Sequence, residues 1–240
     1  MDVYRNLLVK LNEKYNFVYF NTNLKKKNVI LLRHDIHLQD IENGYKMIEI
    51  EKSLGINATY FVQYNIPQES NNNNYQEKYI KFINYCIENN VEVQPHISPI
   101  SGAFHLDSSL SKEVNDIEKV KKNYLLNRVD NYDEFTIVDD FLEINKLNKT
   151  IIKYLNDYNK VWNDKFGFYP KGMSVHGDCT FPKIIGGLNN KTLMNQKCFI
   201  DIYEYIDHSH IISDNFSYIS DTQYNINLFC PEKFNNNTYQ

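Results

Sequence analysis

The run Val29-Ile30-Leu31-Leu32-Arg33-His34-Asp35-Ile36-His37 most constrains what this chain can become. An apolar segment of strand-forming residues ends in a cluster of polar side chains. Strand side chains alternate, so Arg33, Asp35 and His37 share one face and His34 takes the other. Next, Asp40 is placed to cap a helix over about 41–54, with Ile41, Tyr45, Ile48 and Leu54 at helical spacing. Gly55 is a natural terminator for that helix. Ala58-Thr59-Tyr60-Phe61-Val62 then reads as a second strand. Strand, helix and strand within ~30 residues form a βαβ crossover, which implies parallel neighbours. Alpha/beta folds keep their chemistry at the C-terminal strand ends, where Asp35 and His37 stand.

The rest of the chain keeps the same alternation. Residues 1–20 read as a helix running into a short strand, 71–74 as a polar surface loop, 75–89 as a helix and 91–96 as a strand. Residues 107–160 are mostly helical by pattern, with a break near Asn131. Strand-like pieces return at 172–176, 199–203, 216–220 and 226–229. No Pro/Gly/Ser-rich linker divides the chain. The pattern predicts one α/β domain over 1–240, with a distorted, partly open (β/α) barrel of about seven parallel strands as the simplest closure.

Composition removes several function classes. Net charge is −4, so a nucleic-acid footprint is not expected, and Lys25-Lys26-Lys27 reads as a solvated turn. No apolar run approaches the ~18–20 residues of a membrane span, and Met1-Asp2-Val3-Tyr4-Arg5 does not open a signal peptide. The expectation is a cytoplasmic protein with no integral membrane segment. Cys86, Cys179, Cys198 and Cys230 are scattered without a C-x-x-C and read as free thiols. Cys179 lies near His176, but a lone cysteine beside a Gly-Asp turn is more simply incidental.

Three strand ends carry histidine: Asp35/His37, His96 and His176. A barrel gathers strand ends around one mouth. Imidazole and carboxylate ligands that leave a metal position open to water, with a carboxylate to take a proton, describe a metal hydrolase. Other polar residues have plainer readings. His34 points into the fold as a structural side chain. His105 is an ordinary loop residue, and His208 and His210 sit in a solvated turn. Glu49 and Glu51 read as exposed helix residues. Arg33 either holds Asp35 ionised or binds a substrate carboxylate. Asp221 either orients a histidine or the base, or caps a turn.

Arg33-His34-Asp35-Ile36-His37, followed by the helix and Leu54-Gly55-Ile56-Asn57-Ala58-Thr59-Tyr60-Phe61, resembles the polysaccharide deacetylase (NodB-like, carbohydrate esterase family 4) superfamily. The branch it resembles reads R-H-D-[VI]-D, then L-G-I-x-A-T-Y-F. Val91-Glu92-Val93-Gln94-Pro95-His96 is similar to that family's E-I-G-x-H strand, Ser174-Val175-His176-Gly177 to its later H-G strand end, and Tyr218-Ile219-Ser220-Asp221-Thr222 to its Y-[IL]-[ST]-D-[ST] segment. The resemblance covers about residues 29–230. It implies that Asp35 is the general base and His96 a metal ligand. The family's second Asp, a metal ligand, is His37 here, and a histidine is a competent zinc ligand. The second histidine that many members place four residues beyond the first is Ile100 here. The third ligand is then His176, His105 or a water, and His176 is either that ligand or the acid that protonates the leaving amine. Arg33, His34 and Asp221 are the expected substrate-binding or supporting residues.

The expected function is therefore a divalent-metal hydrolase, with zinc the preferred ion. It would remove an N-acyl group, acetyl foremost, from an amino sugar or glycan precursor in surface polysaccharide biosynthesis, acting on a small-molecule or glycan partner. Two alternatives stand beside it. One is a catalytically altered member serving as a glycan-binding or assembly module. The other is a hydrolase of a different C–N bond.

Overall fold

The computed structural model describes residues 1–20, 28–64, 73–107, 145–175, 202–203 and 205–206. Helix α1 (Asp2–Asn12) leads into β1 (Asn16–Val18), then β2 (Val29–Leu31) and β3 (Arg33–Ile36). A 3-10 turn (Leu38–Asp40) enters α2 (Ile41–Ser53), and β4 (Thr59–Val62) follows. Next come α3 (Asn73–Glu88), β5 (Glu92–Ile97), α4 (Pro99–Leu106) and α5 (Asn145–Phe166). Strands β6 (Gly172–Val175) and β7 (Tyr205–Ile206) close the described chain. Strands β1 and β2 form one parallel pair, and β3-β4-β5-β6-β7 form a parallel sheet in sequence order. The fold is α/β with parallel strands, as the βαβ reading requires. The run 29–36 is not one strand. The chain changes partner at Leu32, with β2 pairing β1 and β3 pairing β4.

Two helices end in the same way. Gly55 takes φ +65° after α2, with Ile56 N–H donating to Glu51 C=O at 2.9 Å and Gly55 N–H to Lys52 C=O at 3.1 Å. Asn90 takes φ +55° after α3, with Val91 N–H donating to Cys86 C=O at 2.9 Å and Asn90 N–H to Ile87 C=O at 3.1 Å. Both are Schellman exits, which satisfy the last helical carbonyls and turn the chain into the next strand. Gly55 is thus the terminator its type suggests. Asp40 is the N-cap residue of α2, as expected, but its side chain does not cap that helix: the carboxylate turns back onto His37 and closes the 3-10 turn.

The register sorts the sheet into two faces. Ile36, Tyr60, Val62, Val93, Ile97 and Met173 point toward the helices and join the core. Facing them, Tyr154, Tyr158 and Trp162 recur every four residues along α5, one stripe of a helix, and all are buried. Close approach of α4 to α5 needs Gly102, because a Cβ there would lie 2.1 Å from the Tyr154 ring. A second, smaller cluster of Leu8, Phe17, Ile50 and Ile56 ties α1 and β1 to α2. Arg33, Asp35, Thr59, Phe61, Glu92, Gln94, His96 and Ser174 share the opposite face by strand parity and register.

Other expectations meet differences. Of the expected 71–74 loop, Asn73 and Asn74 already open α3, and residues 71 and 72 lie outside the described residues. Near 199–203, Ile202 and Tyr203 lie in a turn and a bend, and the strand that pairs β6 is Tyr205–Ile206. The Lys25–Lys27 run, residues 108–144 with the break near Asn131, and the strand readings at 216–220 and 226–229 lie outside the described residues. No helix among the described residues is long and apolar enough to cross a membrane.

Candidate active site

Strand β3 brings Arg33 and Asp35 to one face two residues apart, close enough to pair side by side. Arg33 Nε donates to Asp35 Oδ1 at 2.8 Å, and Nη2 to Oδ2 at 2.5 Å. This two-point contact is the strong form of a guanidinium–carboxylate pair. The guanidinium lies over the Phe61 ring, with Cζ 5.4 Å from the centroid, so the neighbouring strand supplies its floor. Nη2 also donates to Ser174 Oγ at 2.7 Å, two strands further on than Phe61. Ser174 pairs with His96 in the sheet, and its Oγ is 2.9 Å from His96 Nδ1. His96 Nε2 stands 4.0 Å from Asp35 Oδ2.

His37 completes the group from the turn after β3. Its ring centroid is 5.4 Å from that of His96, edge to face at 71°. Asp40 Oδ2 lies 3.3 Å from both His37 N and His37 Nδ1, fixing the backbone and the ring together. The side chain of His96 is 4% exposed and those of Asp35 and His37 31% and 29%, so the group opens on Asp35 and His37 and is backed by His96. Burial raises the affinity of Asp35 for a proton. The charges of His96 and Arg33, the Arg33 hydrogen bonds and the charge of His37 outweigh burial and hold the carboxyl below its ordinary value. Asp35 is therefore a carboxylate throughout the neutral range.

His34 occupies the other face, as parity requires, and does not join this group. Its Nε2 lies 2.7 Å from Glu51 Oε1, and Tyr4 Oη is 3.2 Å from the same nitrogen. Tyr4 also donates to Glu51 Oε1, and Tyr60 donates to Oε2 at 2.7 Å. Glu51 is 3% exposed, so reading it as a solvated helix residue is wrong. Its place was visible in the spacing: Ile41, Gly44, Ile48 and Glu51 follow one stripe of α2, and all four are buried. His34 is thus a support behind β3 rather than a substrate contact.

Arg33, Asp35, His37 and His96 are brought together, with Ser174 and Asp40 as partners not anticipated in those roles. The signal for Ser174 was a small polar residue at the parity of Gly172 in a strand that otherwise reads as buried. His105 lies on α4, not in a loop, and is exposed. Ile100 also lies on α4. His176, Asp221, His208, His210 and Cys179 lie outside the described residues.

Among the described residues, no group of three or more His, Cys, Asp or Glu side chains is arranged to hold a metal ion. The donor set that does approach is two imidazoles beside one carboxylate. Each imidazole meets a separate polar residue at Nδ1, Asp40 for His37 and Ser174 for His96. Outer partners of this kind on one ring nitrogen are what orients histidines that ligate through the other. This donor chemistry suits zinc. No family model matches the chain, and no curated protein or solved structure matches it.

Proposed function

We propose that the chain is a metal-dependent hydrolase that removes an N-acyl group, acetyl foremost, from an amino sugar or glycan precursor. The same reading takes the sheet as the wall of a distorted, partly open (β/α) barrel, supported by five parallel strands in sequence order. The observation that carries it is a carboxylate kept ionised and partly exposed beside two imidazoles, on the polar face of a parallel sheet.

In this reading His37 and His96 hold a divalent cation, zinc by preference, and the third ligand is His176, His105 or a water. When bound, the ion supplies Lewis acidity, which makes a nearby water acidic enough for a weak carboxylate base and offsets charge at an attacked carbonyl. Asp35 accepts the proton on its partly exposed carboxylate. Arg33 keeps that carboxylate oriented and ionised between turnovers. Where His176 is not the third ligand, it returns a proton to the departing amine. Asp221 orients a histidine or the base.

The experiment is Asp35→Asn, assayed by acyl release from N-acetylated amino sugars, free and nucleotide-linked. The variant should fold, keep its zinc and lose turnover by about 10²–10⁴-fold, the usual weight of a general base. A parent protein that releases no acyl group from any of these substrates defeats the reading. One observation favours a second reading, a glycan-binding module: both Asp35 oxygens already face Arg33 donors. That module would bind glycans equally well with Asp35→Asn.

A further inference from the structure

Ser174 is fully buried in β6. Its Oγ must accept from Arg33 Nη2, because a guanidinium has only donors. The same Nη2 lies 2.5 Å from Asp35 Oδ2, and the same Oγ lies 2.9 Å from His96 Nδ1. The chain of contacts therefore runs Asp35, Arg33, Ser174, His96, and returns to Asp35 across the 4.0 Å between Oδ2 and Nε2. A His96 ring flipped about its Cβ–Cγ bond would turn Cδ2 toward Ser174 Oγ and Cε1 toward Asp35. It would lose a hydrogen bond in a buried place, where such losses are costly. A hydroxyl also serves either state of the ring: it donates to an unprotonated Nδ1 or accepts from Nδ1–H. A carboxylate could only accept there, and an ammonium could only donate.

We infer that Ser174 is a positioning residue of the site: its hydroxyl fixes the His96 ring with Nε2 toward Asp35 while seating the guanidinium that pairs with Asp35. The inference rests on the reading of His96 as a ligand and Asp35 as the base. It adds a residue that acts only through these two.

The test uses the full chain with 15N-labelled histidine, as parent, Ser174→Ala and Ser174→Thr. Three quantities are read: the His96 ring nitrogen signals without metal, zinc affinity by titration, and kcat and KM for acyl release. In Ser174→Ala the Nδ1 signal should move, zinc should bind about 10–100-fold more weakly, and kcat should fall with KM little changed. Ser174→Thr keeps the hydroxyl and should restore all three. An Nδ1 signal that stays at its parent position in Ser174→Ala overturns the inference, whatever zinc does. A signal that moves and is restored by threonine, in a parent that binds no zinc, upholds the positioning role and removes the metal reading of His96. If the alanine variant fails to fold, Ser174→Cys, of similar volume but a weak hydrogen-bonding group, is compared with threonine by the same measurements.

Discussion

Glu51 and Asp35 are two carboxylates serving one strand from opposite sides. Glu51 sits on the helix side of β3, 3% exposed, and receives Tyr4, Tyr60 and the His34 ring. Asp35 sits on the other side, its side chain 31% exposed, and receives Arg33. Around Glu51 the partners come from α1, β3 and β4, so the cluster joins three elements to α2. Burial and the nearby Glu51 charge push the Tyr4 and Tyr60 hydroxyls far above their ordinary values, so both remain donors. Around Asp35 the partners are an arginine and an imidazole, and the side chain stays partly exposed. A satisfied and sealed carboxylate joins elements. An ionised carboxylate that stays partly exposed is open to exchange with what binds beside it.

The comparison makes four claims that measurements can break. The largest effect belongs to Asp35→Asn, with turnover down about 10²–10⁴-fold and a smaller loss of stability than any Glu51 truncation. Acyl release and urea unfolding on the same preparation check both halves. Next is Glu51→Ala, which takes the shared acceptor from buried Tyr60 and from the partly buried Tyr4 and His34. It should cost about 2–4 kcal/mol, since each buried donor left unsatisfied costs about 1–3 kcal/mol, while turnover per folded molecule stays near the parent's. A Glu51→Ala protein that unfolds like the parent would erase the distinction. Tyr60→Phe removes one donor from the Glu51 carboxylate and should cost about 1.5–3 kcal/mol in the same unfolding assay.

The smallest effect is in the acid limb of stability. Asp35 has a folded pKa below its unfolded one, so its contribution is complete above the ordinary aspartate range and is lost as pH falls through the folded value. Stability of the parent should therefore fall more steeply than that of Asp35→Asn below pH ~4, where unfolded aspartate titrates. Parallel acid limbs would show that Arg33 and His96 do not hold the carboxyl down.

The βαβ unit was legible because its signals are local: Val29–Ile36, the α2 stripe, Gly55 and Ala58–Val62 each speak within a few residues. Strand parity separated Arg33 and Asp35 from His34 for the same reason. The partner change at Leu32 was not legible, since an apolar run does not record which strand it will meet. Asp40 stands at the N-cap of α2 as its type suggests, and only the turn at 38–40 reveals that His37 takes its carboxylate. For Glu51, charge argues for exposure and its place on the α2 stripe for burial, and the stripe prevails. The contacts of Ser174 depend on a β5–β6 register that no short window of sequence contains.

That register also orders events in time. Strands β3, β4 and β5 are spatial neighbours in chain order, joined through single helices, so their contacts close short loops and suit early formation. The Arg33–Ser174 bond closes a separation of 141 residues, and His96–Ser174 one of 78. Longer closures cost more chain entropy and come after the contacts that shorten them. A nascent or partly refolded molecule can thus carry Asp35, Arg33 and His96 on an assembled half-sheet and still lack the oxygen that aligns them. On the proposed reading, competence at this centre would await the docking of β6 and would report on completed folding rather than on the folding of its own strands.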